Sequence, residues 1–528
     1  MRSGKAKWWT AFVCCLLALA GARPSLLQSQ QPAQPEVRLV LLIAVDQFRY
    51  DYLTRFRGDY NTGLDRLLRQ GANYVNAHLE HYPTVTALGH AAMLTGAFPK
   101  SSGIIGNDWY ERESGRNVTS VFDPSAQLLG ASPGAGSSPR RLLVSTVGDE
   151  LKRANGSAKV IGISFKDRSA ILPAGHMADA AYWLDGNSGN FVSSTYYFSA
   201  VPEWVAAFNS TRPADKFAGA EWPTPAGLFK MPPAPGSKLY NEVYGSPFGN
   251  ELLEQFVEEA VRAERLGQRG VTDLLTVGFS SNDSVGHTHG PDSPQAHAIS
   301  VETDRVLGRL FDYLDKSVGM RHVLVALTAD HGVMPLAEDL QRQKMPGGRT
   351  TSPALFDPIV QALSARFKPG PWLEGTAGTS PYFNLKLIRE RGLDRAAVER
   401  VAAEAAAEIP NVAHVYTRTQ LLLGQTPDDP VSRRVAASFH ARRSGDLEIV
   451  FDPYWMRGGS GTTHGTPYSY DSHIPLIFMG PGIEAGRYVR PVALNDLATT
   501  LATLLDIETP SGSAGRPLHE MMTSAADR

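Results

Sequence analysis

Apolar positions along the chain fall into two patterns. Val37–Val45 (VRLVLLIAV), Lys159–Ser164 (KVIGIS), Leu274–Phe279 (LLTVGF), Val323–Thr328 (VLVALT) and Ile474–Met479 (IPLIFM) are short runs of mostly branched apolar residues. Such runs mark strands buried on both faces. Between them, apolar residues recur at helical spacing over Thr62–Gln70, Thr86–Thr95, Asn250–Leu266, Ser293–Lys316 and Leu494–Leu505. Strands alternating with helices predict an α/β fold, a mostly parallel central sheet with helices on both faces. Residues 111–140 and 185–248 break the rhythm with Gly, Ser, Pro and aromatics, and read as insertions near a site. Residues 336–445 hold an Ala-rich helix (Arg395–Ile409) and a strand (Val412–Tyr416), and read as an inserted cap or subdomain.

The polar residues that end these strands carry the chemistry. Ligands of open α/β sheets bind beyond the carboxyl ends of the strands. Asp46 ends the first run, and Asp330 and His331 end VLVALTADHG. Asp283 and His287 follow LLTVGF four residues apart, so a helical turn points them the same way. His464 lies in the loop GGSGTTHGTP before the last strand. His289 competes with His287, and spacing favours His287. Each residue alone has an ordinary reading as a strand end, a cap or a loop. Their recurrence at the ends of one sheet predicts a metal site. Asp and His donors suit zinc, with manganese or iron as alternatives. Two metals about 4 Å apart could serve both the attacking and the leaving oxygen.

Charge and cysteine usage narrow the setting. The formal net charge is −2, and no long basic run argues for nucleic acid as an obligate partner. Arg2, Lys5 and Lys7 precede WWTAFVCCLLALAGA, which reads as a signal peptide over residues 1–22. The run is shorter than the roughly 20 residues a membrane-spanning anchor needs. Residues 23–36 form a polar, Gln/Pro-rich leader, and the main domain is expected over 37–528 without a membrane span. Both cysteines, Cys14 and Cys15, fall in the signal segment. The mature chain would then lack disulfides, thiolate ligands and a cysteine nucleophile.

The segments HYPTVTALGHAAMLTG (81–96), GIIGNDWY (103–110), FKDRSA (165–170), SNDSVGH (281–287), TADHG (328–332) and TTHGTPYSYDSHIPL (462–476) occur in a telling order. The chain resembles the alkaline phosphatase superfamily, and within it the bacterial phosphate-irrepressible, PafA-type enzymes with a threonine nucleophile. The resemblance runs from about Val37 to the closing helix. It implies an alkaline-phosphatase-like fold with inserted cap segments and two zinc ions. Asp283, His287 and His464 would hold one zinc; Asp46, Asp330 and His331 would hold the other, with Thr86 as nucleophile and metal ligand. Asn107 would donate to a phosphoryl oxygen, and Lys166 and Arg168 would bind the non-bridging oxygens. Read locally, Thr84 or Thr86 could equally be a helix N-cap, Asn107 a turn residue, and Lys166 with Arg168 a solvated pair. If they lie on a strand, Lys166 and Arg168 face one side.

The K-x-R pair distinguishes two enzyme classes. A phosphate monoester carries up to two charges on three non-bridging oxygens, whereas a diester carries one charge and a second bulky group. The expectation is an alkaline phosphatase acting on small phosphate monoesters. The alternatives are a phosphodiesterase or nucleotide pyrophosphatase of the same superfamily and an inactive zinc- or phosphate-binding protein. A sulfatase fits less well, since no cysteine remains to become formylglycine. The resemblance also implies export, to the periplasm or beyond, and a monomer is favoured.

Overall fold

The structure is a computed structural model describing residues 36–523. The segments expected as a signal peptide and a leader lie, up to residue 35, outside the described residues. Leu39–Val45 and Asp273–Phe279 are buried at every position, which fits their unbroken apolar composition. They lie at the middle of an 11-stranded sheet. Its order is Gly486–Tyr488, Ala72–Tyr74, Leu476–Met479, Val323–Thr328, Leu39–Val45, Asp273–Phe279, Val160–Ser164, Ala180–Leu184, Phe191–Ser194, Phe122–Leu129 and Ala135–Ser137.

The main parallel block is central, and one further parallel pair, Ala72–Tyr74 with Gly486–Tyr488, lies at the sheet edge. The strands from Val323–Thr328 to Ala180–Leu184 run parallel. Those added outside this block join it antiparallel, Leu476–Met479 on one side and Phe191–Ser194 on the other. Only residues 185–190 connect Ala180–Leu184 to Phe191–Ser194. That is too short for the crossover that parallel pairing needs, so a hairpin forms. The sheet is therefore mixed, more so than the periodicity predicts.

The regions expected as insertions take three forms. Within 111–140, Phe122–Leu129 and Ala135–Ser137 become the outer edge of the sheet. Within 185–248, Phe191–Ser194 joins the sheet, while Glu221–Thr224 and Gly227–Lys230 form a separate hairpin. The third is a subdomain with its own apolar cluster, in which Leu355, Ile359, Val398 and Ala402 pack with Leu447 and Ile449. Its strand Val412–Thr417 pairs with Leu447–Phe451, so the unit continues past residue 445. Among the described residues, no helix is long and apolar enough to cross a membrane.

Candidate active site

The carboxyl ends of the parallel strands deliver most of the site. Asp46 directly follows Leu39–Val45, and Asp330 and His331 follow Val323–Thr328 after one alanine. The strand Asp273–Phe279 feeds the helix Ser281–His289, which carries Asp283 and His287. His464 comes from the loop between Trp455–Arg457 and the short helix Ser469–Ser472. Ligand atoms of Asp283, His287 and His464 lie within 4.8 Å of one another, as do those of Asp46, Asp283 and His331. The rival His289 turns away and meets the ring of Phe229 edge-on.

All three imidazoles are oriented in the same manner. Nδ1 of His287 bonds the carbonyl of Thr462 (2.7 Å), that of His464 the carbonyl of Thr84 (2.8 Å), and that of His331 the carbonyl of Gly332 (2.9 Å). A carbonyl only accepts, so each Nδ1 carries a proton. Burial keeps His331 and His464 neutral, with Nε2 as a lone pair. Against the lowering by burial, Asp283 raises His287 to about 9, so its Nε2 also carries a proton when no metal is bound. The Nε2 lone pair of His331 faces Asp330 Oδ2 at 3.3 Å, and His287 Nε2 donates to Asp283 Oδ1 at 3.1 Å. A buried acceptor pair such as His331 and Asp330 favours a cation or a proton between its members.

The charge balance gives the same answer. Asp46, Asp283 and Asp330 are all buried, and Asp46 Oδ1 and Asp330 Oδ2 have no hydrogen-bond partner. Against these three carboxylates stands Lys166, whose Nζ lies 2.5 Å from Asp46 Oδ2 and 2.7 Å from Asp283 Oδ2. One ammonium, with the charge that His287 takes up beside Asp283, still leaves a carboxylate uncompensated, an expensive arrangement in a dry site. Burial, with the neighbouring carboxylates, raises Asp46 well above the usual range. Asp330 is pushed up to about 6, chiefly by burial. Burial would raise Asp283 too, but Lys166, His287 and His464 hold it well below the normal value. Burial holds His331 at about 3 and His464 well below its ordinary value, so both are neutral donors. Buried carboxylates with neutral, pre-oriented imidazoles are a donor set that fits zinc.

The remaining candidates converge on the same place. Thr86 begins the helix Thr86–Thr95, and its Oγ lies 3.4 Å from His331 Nε2 and 3.5 Å from Lys166 Nζ. Neither threonine caps that helix: the N-cap is Val85 without a side-chain bond, and Thr84 Oγ1 donates to the Thr466 carbonyl. Asn107 Oδ1 accepts from the Ala87 N–H at 2.9 Å, which leaves its NH₂ as the available donor. The strand argument for Lys166 and Arg168 does not hold. Val160–Ser164 ends before them, Lys166 is the N-cap of the helix Asp167–Ala174, and Arg168 lies in its first turn. Burial, and after it the charges of Lys166 and Arg168, hold the buried His90 well below its ordinary value. Arg168 Nε is buried without a partner.

Three neighbours were not singled out from sequence. Gln47 donates from Nε2 to Asp283 Oδ1 (2.6 Å) and from its backbone N–H to Asp330 Oδ1 (3.1 Å), so it links the two ligand groups. It adopts φ 61°, an uncommon left-handed conformation for glutamine. His90, one turn after Thr86, is buried with Nε2 3.6 Å from Asp330 Oδ2. Gly89 lets the Thr86 helix touch the ligand strand: a Cβ there would lie 2.3 Å from the Asp330 carbonyl oxygen. Gly89→Ala should therefore push the helix away. We expect a loss of about 1–3 kcal/mol in stability, as for overpacked cores, and a fall in turnover. A thermal melt and kcat read the two effects. The local signal for all three was adjacency to a ligand or to Thr86, which alone specifies no contact.

Residues 40–470 match the family model described as type I phosphodiesterase / nucleotide pyrophosphatase. The chain belongs to this family. Within it, alkaline phosphatase PafA of Elizabethkingia meningoseptica is 34% identical, with 98% of this chain and 99% of that protein covered. Alkaline phosphatase PhoV of Synechococcus elongatus is 35% identical, with 95% and 96% covered. The crystal structure of wild type PafA matches this phosphodiesterase-family chain with a TM-score of 0.87 over 93% of this chain and 99% of that one. The resemblance read from the ordered motifs is borne out, as is the alkaline-phosphatase-like fold.

Proposed function

We propose that the protein is a zinc-dependent alkaline phosphatase that hydrolyses small phosphate monoesters through a covalent phosphothreonine on Thr86. Relatives named alkaline phosphatase over nearly the full chain support the reaction class. Asp283, His287 and His464 would hold one zinc, and Asp46, Asp330 and His331, with Thr86, the other. Bound zinc supplies Lewis acidity to phosphoryl oxygens and lowers the pKa of hydroxyl and water.

This chain's own groups then position and neutralise the phosphoryl group. Thr86 Oγ attacks phosphorus, loses its proton to solvent, and forms the Oγ–P bond as the P–O bond to the alcohol breaks. The departing alcohol takes up a proton. Water next attacks the phosphothreonine, and the Oγ–P bond breaks to release inorganic phosphate. Throughout, the Asn107 NH₂, Lys166 and Arg168 face the non-bridging oxygens, a mainly electrostatic contribution.

The observation that carries the monoester reading is the position of Lys166 Nζ. It lies between the two ligand groups and within 3.5 Å of Thr86 Oγ1. With Arg168 it would offset two charges, and a diester brings only one. Lys166→Ala with Arg168→Ala should lower kcat/KM for an aryl phosphate on the order of a hundredfold to a thousandfold. The loss on an aryl methyl phosphate should be on the order of tenfold. Equal losses on the two esters would instead support the phosphodiesterase reading that the family description carries. The N-terminal segment supports export, to the periplasm.

A further inference from the structure

A cavity of about 310 Å³ adjoins the phosphoryl site. Asn107 and His464 line it on the catalytic side, and subdomain residues line much of the remainder, including Ser380, Tyr382 and Glu448. The wall nearest the site is thus made by Asn107, which would face the phosphoryl group, and His464, which would hold a zinc. The cavity is where the alcohol portion of a bound monoester could extend. Its size suits a small organic group.

Glu448 gives this cavity its chemistry. Its strand, Leu447–Phe451, pairs with Val412–Thr417 and carries the carboxyl into the cavity wall. Oε2 accepts from Ser380 Oγ at 2.6 Å. No ion pair to Glu448 is present among the described residues. Arg457 also lines the cavity, but its Nη1 reaches Ser352 Oγ at 3.5 Å. Burial pushes the Glu448 carboxyl up to about 7, and no basic side chain counters that shift. The surrounding wall is rich in aromatic rings, among them Trp109, Tyr382, Phe439 and Trp455. A carboxylate without a cation and a set of aromatic faces both favour a positively charged guest.

Resting on the phosphatase reading, we propose that this cavity is a leaving-group subsite selecting phosphate monoesters whose alcohol carries an ammonium group. Glu448 accepts hydrogen bonds from the ammonium, Ser380 fixes the carboxylate, and the rings enclose the connecting carbons.

Two substrates of nearly equal size test the idea: 2-aminoethyl phosphate and propyl phosphate. We expect the zinc-loaded enzyme to favour the amine in kcat/KM by about tenfold, as for one charge-assisted hydrogen bond. Glu448→Gln, which keeps the shape and an acceptor for Ser380, should bring the ratio close to one. Ser380→Ala should lower it partially. A ratio near one in the unaltered enzyme, or an unchanged ratio in Glu448→Gln, overturns the proposal. If the unaltered enzyme hydrolyses neither ester nor phenyl phosphate, the phosphatase reading itself has failed. Phenyl phosphate turnover without amine preference separates the two failures.

Discussion

Thr86→Ala is expected to lower turnover of aryl phosphate by about a thousandfold or more and to leave no phosphoenzyme after an acid quench. A thousandfold corresponds to about 4 kcal/mol of transition-state free energy. The argument is geometric. Thr86 is buried at the first position of its helix, with its Oγ beside His331 and Lys166, and the next residue's N–H, that of Ala87, donates to Asn107 Oδ1. A loss of fold would not explain the result, because Thr86 does not cap its helix and its hydroxyl supports no backbone group there. Thr86→Ser keeps the hydroxyl and should retain a trappable intermediate. Full activity in Thr86→Ala would mean that water attacks the ester directly.

Removing metal should have an effect of similar size. Dialysis against a chelator is expected to abolish turnover and lower the melting temperature, and added zinc should restore both. A metal that binds only the folded state adds about 4 kcal/mol per site at a thousand times its Kd. The folded chain without metal retains Asp46, Asp283 and Asp330 in a buried cluster with Lys166 as a partial counter-charge. Replacing Asp330 with Asn removes one uncompensated charge and one donor. That variant should therefore melt closer to the zinc-loaded protein when metal is absent, yet remain poorly active when zinc is present. Unaltered activity after metal removal, verified by elemental analysis, would contradict the assignment of the donor set.

Much of the site was legible in the chain because its ligands are tied to local pattern. Branched apolar runs announced the strands; Asp46, Asp330 and His331 lie within three residues of where those runs stop, and Asp283 and His287 lie in the helix that follows one. The geometry of Lys166 and Arg168 was not legible in this way. Assigning them to a strand required knowing where Val160–Ser164 ends, and the chain turns into a helix after it. The sheet edges were missed for a related reason. Phe122–Leu129 contains Asp123, Pro124, Ser125 and Gln127, so its apolar signal is weak, and its place is set by pairing with Phe191–Ser194.

By itself the sequence determined the α/β class, the residue types offered for metal and phosphate, and the order in which the chain presents them. Those properties follow from short-range periodicity and from residue chemistry. The tertiary structure alone decided what depends on long-range contact. It turned each Nε2 toward a carboxylate through carbonyls such as those of Thr462 and Thr84, and it seated Gly89 against Asp330. It also brought Glu448 into a cavity shared with Asn107. The physical reason is that these contacts join segments far apart in the chain. Whether they meet is set by the packing of the sheet and subdomain, and no local pattern encodes it.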